Sequence, residues 1–295
     1  MGALYRRPRL WQHGGMAAPA RKPEENVPFV LANGEVLTAT VRRSARSRRP
    51  RLSLSPRGGL SLVIPAAWPL ARARALVPDF LPWLERAWPR FAASRPEAAL
   101  PEKIALPLAG RELAVAPAGD FAAGRAASGD AASLVRAGAG SRRVLLLELG
   151  ESLRLFGATD DVALCTVALG HWCRAEASRL LPPHVAALAR AHGFAPPLVN
   201  VRDQRSRWGS CSRGRGGTAE PHIQLNWRAL LLPRPLLDHL CFHELCHLRH
   251  MDHSPAYRAE LARVSPDWAV QERSLSRAWR ELPFWALPQD APGRG

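Results

Sequence analysis

The sequence predicts an α+β fold: a basic, strand-rich part in the first half of the chain, followed by a mainly helical unit. Three observations carry this prediction. Short runs with alternating polar and apolar residues, typical of half-buried strands, recur up to about residue 158. Beyond residue 159, apolar residues recur at helical spacing over longer stretches. One of these stretches, 236–253, also carries several metal-ligating side chains, and we expect a small sheet beside it.

These patterns divide the chain into four segments. Residues 1–27 are polar, Pro-rich and aperiodic, so we expect a disordered leader. Residues 28–158 form the basic β-rich part, whose Ala/Gly-rich stretch 116–140 we expect to be a flexible insertion between strands. Residues 159–282 form the second unit. Residues 283–295 are Pro-rich and are expected to be a loose tail.

Within the β-rich part, the alternation predicts seven strands and one helix. The clearest pair is a hairpin, because two alternating strands flank the turn-forming sequence Pro-Arg-Gly-Gly at residues 56–59. The helix covers residues 68–91, where Trp and Leu recur at helical spacing. The predicted strands are residues 36–41, 51–55, 60–64, 103–106, 112–115, 144–149 and 152–156.

A dense group of positive charge lies between the first two predicted strands. Six arginines fall within residues 42–51, in a chain whose formal net charge is +16. Such a run is usually a solvated loop, and the net charge partly reflects a composition rich in Ala, Gly, Pro and Arg. Arginine also pairs bidentately with phosphate. Arg46, Arg48 and Arg49 are therefore candidate substrate-binding residues for a phosphate-bearing substrate.

The second unit is predicted as helices around two strands. Pro182-Pro183 should end a long helix, because proline lacks the N–H that continues a helix. Trp208-Gly209 precedes the second strand, and glycine lets a bound chain approach the backbone closely. An extended peptide can bind a sheet edge as an added strand, so both residues, together with Asn226, are candidate substrate-binding residues. The alternative is a hairpin that only supports the neighbouring helix. The predicted helices are 162–181, 185–192 and 270–280, and the predicted strands are 198–202 and 222–227.

The sequence His-Glu-x-x-His at residues 243–247 is the most informative motif. On a helix, residues four apart lie on one face, so His243 and His247 can direct their imidazoles at one point. Glu244 is rotated by roughly 100° from His243, which favours contact with a water molecule over contact with the metal. Two histidine ligands and a glutamate base are typical of zinc hydrolases. Five residues alone can also match by chance.

A catalytic zinc site needs a third protein ligand and an open position for water. His250 would continue the helical row, which makes a poor tetrahedron, and Asp252 is another candidate. His253 follows His247 by six residues, an interval found where the chain turns back after such a helix. That pattern has glycine where this chain has His250, a residue type tolerated at positive φ. The Ser-Pro pair after His253 favours a new helix there. We predict one zinc ion per chain, held by His243, His247 and His253.

The order of these motifs resembles one known family. SRWGSCS at 206–212, IQLNW at 223–227 and HELCHLRHMDHS at 243–254 are similar to the YgjP-like metallopeptidases, which are related to SprT-type zinc metalloproteases. The resemblance is strong over residues 160–270 and weaker from about residue 41. It implies a zincin-like catalytic unit with the HExxH helix beside a small sheet, three ligands at His243, His247 and His253, and a catalytic Glu244.

One departure from the family pattern follows the third histidine. Where the family usually has Phe-Trp, this chain has Tyr257-Arg258. The aromatic ring is kept at the first position and lost at the second. The departure concerns the packing around the motif rather than the metal ligands.

Three functions remain open. The first is a metallopeptidase acting on intracellular protein or peptide. The second is a nucleoside triphosphate pyrophosphatase that uses the same zinc site, since some family members are described as releasing pyrophosphate from uridine triphosphate. The third is a nucleic-acid-associated binding protein with a structural zinc, since SprT-like relatives act near DNA. A structural zinc usually has four protein ligands and would leave Glu244 without a role, so we favour the metallopeptidase.

Composition excludes other classes of protein. No apolar run reaches the length of a membrane span, and the first residues lack the apolar core of a signal peptide. Five cysteines without a Cys-x-x-Cys spacing favour buried thiols in a reducing compartment over a disulfide framework. We therefore expect a cytoplasmic protein that binds no membrane, and the sequence leaves its oligomeric state open.

Overall fold

The computed structural model describes residues 25–55, 57, 59–94, 97–212 and 222–288. The chain separates into two compact units, which we call unit 1 (described residues 25–94) and unit 2 (described residues 97–288). Each unit combines helices with parallel and antiparallel strand pairs, so the predicted α+β fold is confirmed. Most of the expected leader lies outside the described residues.

Unit 1 is a four-stranded sheet whose core is shared with two helices. Its elements are β1 (Asn26–Val30), β2 (Val36–Ser44), β3 (Arg51–Leu54), β4 (Leu60–Pro65), α1 (Leu70–Arg74) and α2 (Val77–Ser94). The strand order is β1-β2-β4-β3, in which β2 and β4 are parallel. Leu60, Leu62 and Ile64 alternate along β4 and are buried in one cluster with Leu84 of α2. This alternation is the pattern that predicted the strand.

The predicted hairpin is present, since β3 pairs antiparallel with β4 and Ser53 lies opposite Ser61. Strand β1, by contrast, begins inside the segment expected to be a leader. Its residues Val27 and Phe29 are fully buried, while their neighbours along the strand are exposed. Burial of these two side chains explains why β1 pairs with β2 along its whole length.

Unit 2 begins with a five-stranded sheet and a long helix. These elements are β5 (Lys103–Leu106), β6 (Arg111–Gly119), α3 (Phe121–Ala127), β7 (Ser133–Ala139), β8 (Arg142–Leu149), β9 (Ser152–Gly157) and α4 (Val162–Ala191). The strand order is β5-β6-β9-β8-β7, with β6 and β9 parallel. Buried residues of β8 and β9, such as Leu146 and Leu155, share one core cluster with Trp172 of α4.

The division of the chain differs from the expected boundary at residue 158. The structure divides after Ser94, so the sheet β5–β9 belongs with the helices that follow it. The sheet belongs to unit 2 because α4 packs on one of its faces. Trp172 of α4 is buried, and its indole Nε1 donates a hydrogen bond of 3.0 Å to Glu148 Oε2 on β8. A sheet face of this kind must be buried against another element.

The segment 116–140, expected as a flexible insertion, contains the end of β6, helix α3 and strand β7. Asp120 caps α3 by accepting a hydrogen bond of 2.8 Å from the Ala123 backbone N–H. Gly124 allows α3 to approach the sheet, because a Cβ there would lie 2.6 Å from the Phe156 ring. Small residues therefore indicate close packing here, where composition alone suggested flexibility.

Helix α4 runs through Pro182 and Pro183, where the sequence predicts a break between two helices. Both sides of the proline pair carry residues of the same core: Leu181 before it, and Val185 and Ala189 after it, are fully buried. Packing of one continuous buried face therefore outweighs the cost of the missing N–H donors.

The rest of unit 2 is a second, smaller sheet followed by three helices. The elements are β10 (Leu198–Arg202), β11 (Gly209–Ser212), β12 (His222–Asn226), α5 (Arg234–Cys246), α6 (Pro255–Val264) and α7 (Trp268–Arg280). Strand β12 is central, parallel to β10 and antiparallel to β11. β11 contacts α5, and α5 contacts both α6 and α7. This arrangement places the predicted motif helix beside the small sheet.

The tail expected to be loose from residue 283 is packed in its first part. A 3₁₀ turn, Phe284–Ala286, follows α7, and Trp285 is buried. Arg228, which is itself buried, donates from its guanidinium to the Ala286 carbonyl. Residues 289–295 lie outside the described residues. No helix among the described residues is long and apolar enough to cross a membrane.

Candidate metal centre

Helix α5 positions the first half of the motif. Its residues Leu237, Leu240 and Leu245 are buried in the core of unit 2, which fixes the orientation of the helix. The helix ends at Cys246, and His247 is the C-cap residue with helical dihedral angles of φ −65° and ψ −17°. His243 and His247 are therefore one turn apart on the same face, as the spacing predicts.

After His247 the chain turns back instead of continuing as a helix. The His250 backbone N–H donates a hydrogen bond of 3.0 Å to the Cys246 carbonyl. No non-glycine residue in the described part of the chain has positive φ, so His250 does not adopt the left-handed geometry considered for it. Ser254 caps α6 by accepting from the Tyr257 backbone N–H, and Pro255 is its first residue. The predicted helix start behind His253 is therefore present.

This turn brings three histidines together. Ligand nitrogens of His243, His247 and His253 lie within 4.8 Å of one another. Their ring centroids are 4.8–5.4 Å apart. The other two candidate ligands, His250 and Asp252, are not part of this group. Zn–N bonds are about 2.0–2.1 Å, so nitrogens up to 4.8 Å apart would have to move closer together to share one ion.

Tyr257 packs against all three imidazoles. Its ring centroid is 4.7 Å from that of His247, 4.8 Å from that of His253 and 5.6 Å from that of His243. Burial raises the pKa of the Tyr257 phenol, which therefore stays protonated and donates to the His243 carbonyl at 3.3 Å. The aromatic ring kept at position 257 thus supports the histidine cluster directly.

In each of the two motif histidines, Nδ1 forms a hydrogen bond with a group outside the cluster. His247 Nδ1 is 3.0 Å from the His250 carbonyl oxygen, which can only accept, so Nδ1 carries the proton. His243 Nδ1 is 2.7 Å from Glu272 Oε1. The nearby His239 ring, whose Nε2 is 3.6 Å from Glu272 Oε1, and the hydrogen bond from His243 hold the pKa of Glu272 far below its usual range, so this carboxylate also accepts. Both residues therefore keep Nε2 available, the arrangement typical of metal-ligating histidines.

The two histidines differ in their charge balance. Burial lowers the pKa of His247, and the nearby His243 and His253 add to this, which favours the neutral form that binds metal. Burial also disfavours the charged form of His243, but the hydrogen bond to Glu272 and the charge of Glu244 outweigh it and raise the pKa of His243. Metal binds the neutral form of both residues, so protons compete with the metal for His243 at a higher pH than they do for His247.

Glu244 lies beside the cluster with one oxygen lacking a partner. Its side chain is only 4% exposed, and Oε2 is buried without a hydrogen bond to any described residue. Burial raises the pKa of Glu244 to about 7. A buried polar atom without a partner is costly, so the residues present fit a metal centre with a water molecule between Glu244 and the ion.

Gly209, a predicted substrate-binding residue, lies directly against the Glu244 carboxylate. A Cβ at this position would lie 2.9 Å from the Glu244 carboxyl carbon and closer still to Oε1. Only glycine leaves room for the carboxylate in this position. The space that a side chain at position 209 would fill is therefore occupied by the Glu244 carboxylate.

Trp208 and Asn226 are both buried, and each donates hydrogen bonds to backbone carbonyls. Trp208 is buried and its Nε1 donates to the Leu275 carbonyl at 3.0 Å, which ties the loop before β11 to α7. Asn226 is fully buried, and its amide donates to the carbonyls of Gln204 and Arg207 at 2.8 and 2.9 Å. Asn226 therefore holds this loop in place, and its predicted role in substrate binding stays a prediction.

The remaining predicted residues, Arg46, Arg48 and Arg49, lie in unit 1 between β2 and β3 and are exposed. They are therefore not part of the unit that contains the histidines. Their interpretation as a solvated loop or as a phosphate-binding segment stays open.

Glu272 of α7 is the site residue that sequence reasoning misses. It follows His243 by 29 residues, and no short-range spacing relates α7 to α5. The available signal is the face of α7, on which Glu272, Leu275, Ser276 and Trp279 recur at helical spacing. These four residues, with Leu240, Glu244 and the segment 206–209, line a cavity of about 380 Å³ next to His243.

The comparisons with known proteins agree with this geometry. A family model described as "YgjP-like, metallopeptidase domain" matches residues 48–278. No curated protein and no solved structure gives a significant match. The matched range contains the HExxH helix, the three histidines and the strands beside them. On these grounds the chain belongs to the YgjP-like metallopeptidase family.

Proposed function

We propose that this protein is a zinc-dependent metallopeptidase that cleaves intracellular protein or peptide at a zincin-like centre. The observation that carries the proposal is the convergence of three imidazoles beside a buried glutamate oxygen that lacks a partner. His243, His247 and His253 would hold one zinc ion per chain. Three histidines leave one tetrahedral position open, which is typical of a catalytic rather than a structural zinc site.

In this mechanism the protein holds the ion and moves the proton. A zinc ion held by the three histidines would supply Lewis-acid chemistry, lowering the pKa of a water molecule from about 15.7 to about 7 and polarising the substrate carbonyl. Glu244 accepts the proton of the attacking water at Oε2 and delivers it to the leaving amine. Gly209 keeps the carboxylate in place, and Glu272 and the His250 carbonyl orient the two motif imidazoles.

The small sheet provides a surface for an extended peptide. Among the described strands, β11 is an edge strand of the sheet, and it begins at Gly209, against which Glu244 packs. A peptide that adds to this edge would form main-chain hydrogen bonds and bring its backbone carbonyl to the glutamate. This geometry favours a peptide substrate over a nucleotide.

An assay panel tests the proposal. We expect the zinc-loaded protein to cleave unstructured casein, and a chelator to abolish the cleavage. Replacing Arg46, Arg48 and Arg49 together with Ala should leave cleavage of an uncharged peptide unchanged. Release of pyrophosphate from uridine triphosphate, with a Michaelis constant raised in the triple variant and no casein cleavage, would instead establish the pyrophosphatase.

A second prediction concerns Glu272, which is not among the candidate ligands but is hydrogen-bonded to one of them, His243. We expect Glu272→Gln to weaken zinc binding by about 10- to 100-fold, because an amide does not orient the imidazole or raise its basicity as a carboxylate does. The measurement is zinc affinity by chelator competition. Glu281→Gln, an exposed change at the end of the same helix, is the matched control. Equal zinc affinity in wild type and Glu272→Gln would contradict the assigned role.

A further inference from the structure

The cavity beside His243 has a wall that the proposed hydrolysis does not use. Trp208, Leu240 and Leu275 form this wall, and each is less than 10% exposed. The indole N–H of Trp208 is already donated to the Leu275 carbonyl, so Trp208 offers the cavity only its apolar ring. Trp279 meets that ring edge-on, with centroids 4.9 Å apart. The wall is thus a preformed aromatic and aliphatic surface.

The charged groups around the cavity are few. Glu272 Oε1 accepts from His243 at 2.7 Å, and Glu244 rests against Gly209. Arg207 contributes a positive charge and, like Ser206, is exposed. Together with the proposed zinc ion, two carboxylates and one guanidinium leave no large excess of either charge around the cavity. Apolar walls with a few polar groups are typical of pockets that bind apolar groups.

The cavity lies next to the place where the peptide bond would be cleaved. Gly209, Glu244 and His243 all line it, so it opens directly beside the general base. Gly209 is also the first residue of the edge strand β11. In an added strand, successive side chains point to opposite faces. A peptide on β11 whose carbonyl faces Glu244 would therefore place a neighbouring side chain in the cavity.

We infer that this cavity is a specificity pocket for a large apolar side chain, aromatic or branched aliphatic, of the residue next to the cleaved bond. This inference rests on the proposed peptidase function and names its substrate class. Ser276 lies on the exposed face of α7 and lines the cavity. A larger side chain at this position would fill the cavity from the solvent side without disturbing the core.

The test separates binding from cleavage. The zinc-loaded Glu244→Gln variant, which keeps the pocket but lacks the base, is titrated with acetylated Gly-Gly-Xaa-Gly-Gly amides, and tryptophan fluorescence reports binding. Wild-type protein is assayed for cleavage of the same peptides. With Xaa as Phe or Leu, we expect binding and kcat/KM at least about 10-fold above those for Ala, the range that apolar pockets provide. Lys and Glu should be no better than Ala.

Ser276→Trp should reduce the Phe-to-Ala ratio to about one, whereas Arg273→Trp, which adds the same ring elsewhere on α7, should leave it unchanged. A preference for Lys or Glu, or a ratio unaffected by Ser276→Trp, would overturn the inference. Selective binding without any cleavage by the wild type would instead overturn the peptidase function and retain the pocket. Cleavage by the wild type without selectivity among the peptides would overturn the pocket and retain the peptidase function.

Discussion

Replacing Glu244 with Gln is expected to lower turnover by at least about 100-fold while the fold and the bound zinc remain. Gln has the same size and can still lie against Gly209, but it cannot accept a proton from water. General-base catalysis contributes typically about 10²–10⁴-fold. Because Glu244 donates no ligand atom to the histidine cluster, zinc affinity should stay near that of the wild type.

The measurements are turnover on a cleaved peptide, zinc content and thermal unfolding of the two proteins. Glu281→Gln serves again as a control for loss of one carboxylate at an exposed position. A Gln variant that binds zinc and turns over at the wild-type rate would exclude the proposed mechanism. It would favour a protein in which the zinc is structural.

Gly209→Ala should cause a loss of the same order while leaving Glu244 in the sequence. The added Cβ would occupy the space of the Glu244 carboxylate, so the base must move from the position observed. Zinc content should again be retained, since the three heavy atoms nearest to this Cβ position all belong to Glu244 and none to a histidine. Normal turnover in this variant would show that the position of Glu244 is not required for catalysis.

The second large effect is expected for the third histidine. His253→Ala should lower zinc affinity by more than the roughly 10- to 100-fold that loss of an outer-shell partner costs, because it removes a ligand from a site with three. His250→Ala should change zinc affinity little. The part of His250 that supports the site is its backbone carbonyl, which accepts from His247 Nδ1 and is present in both proteins.

Chelator competition on the two purified variants distinguishes the two histidines. They are well matched, since both changes remove one imidazole from the same short segment. Loss of zinc from His250→Ala together with normal binding by His253→Ala would contradict the ligand set. It would imply that the chain after Cys246 continues as a helix when the metal is bound.

Much of the local structure could be predicted from short-range patterns. The hairpin β3–β4 follows from alternation around a Pro/Gly turn, and α6 begins at the predicted Ser-Pro pair. The spacing of His243 and His247 determines that they share a face in any helix. These features depend on neighbours within a few residues, so the sequence contains the information directly.

Other features depended on partners far along the chain. Pro182-Pro183 carries a strong local signal to end a helix, yet the buried residues on both sides of the pair keep α4 continuous. The Ala/Gly-rich stretch 116–140 lacks a local signal for strands, yet β7 pairs with β8 along its whole length. In each case, burial against distant residues outweighs the local preference.

The sequence by itself determined which side chains are available to the candidate site: two histidines one turn apart, a glutamate rotated from them and a third histidine six residues later. Tertiary structure alone decided how these groups are used. In the folded chain, Glu272 of α7 is hydrogen-bonded to His243, and Gly209 lies against the Glu244 carboxylate. The buried Asn226 amide donates to a backbone carbonyl of the loop before β11. The reason is physical: side-chain spacing along one helix is set by backbone geometry. Contacts between elements are set instead by the packing of a core whose members lie far apart in sequence.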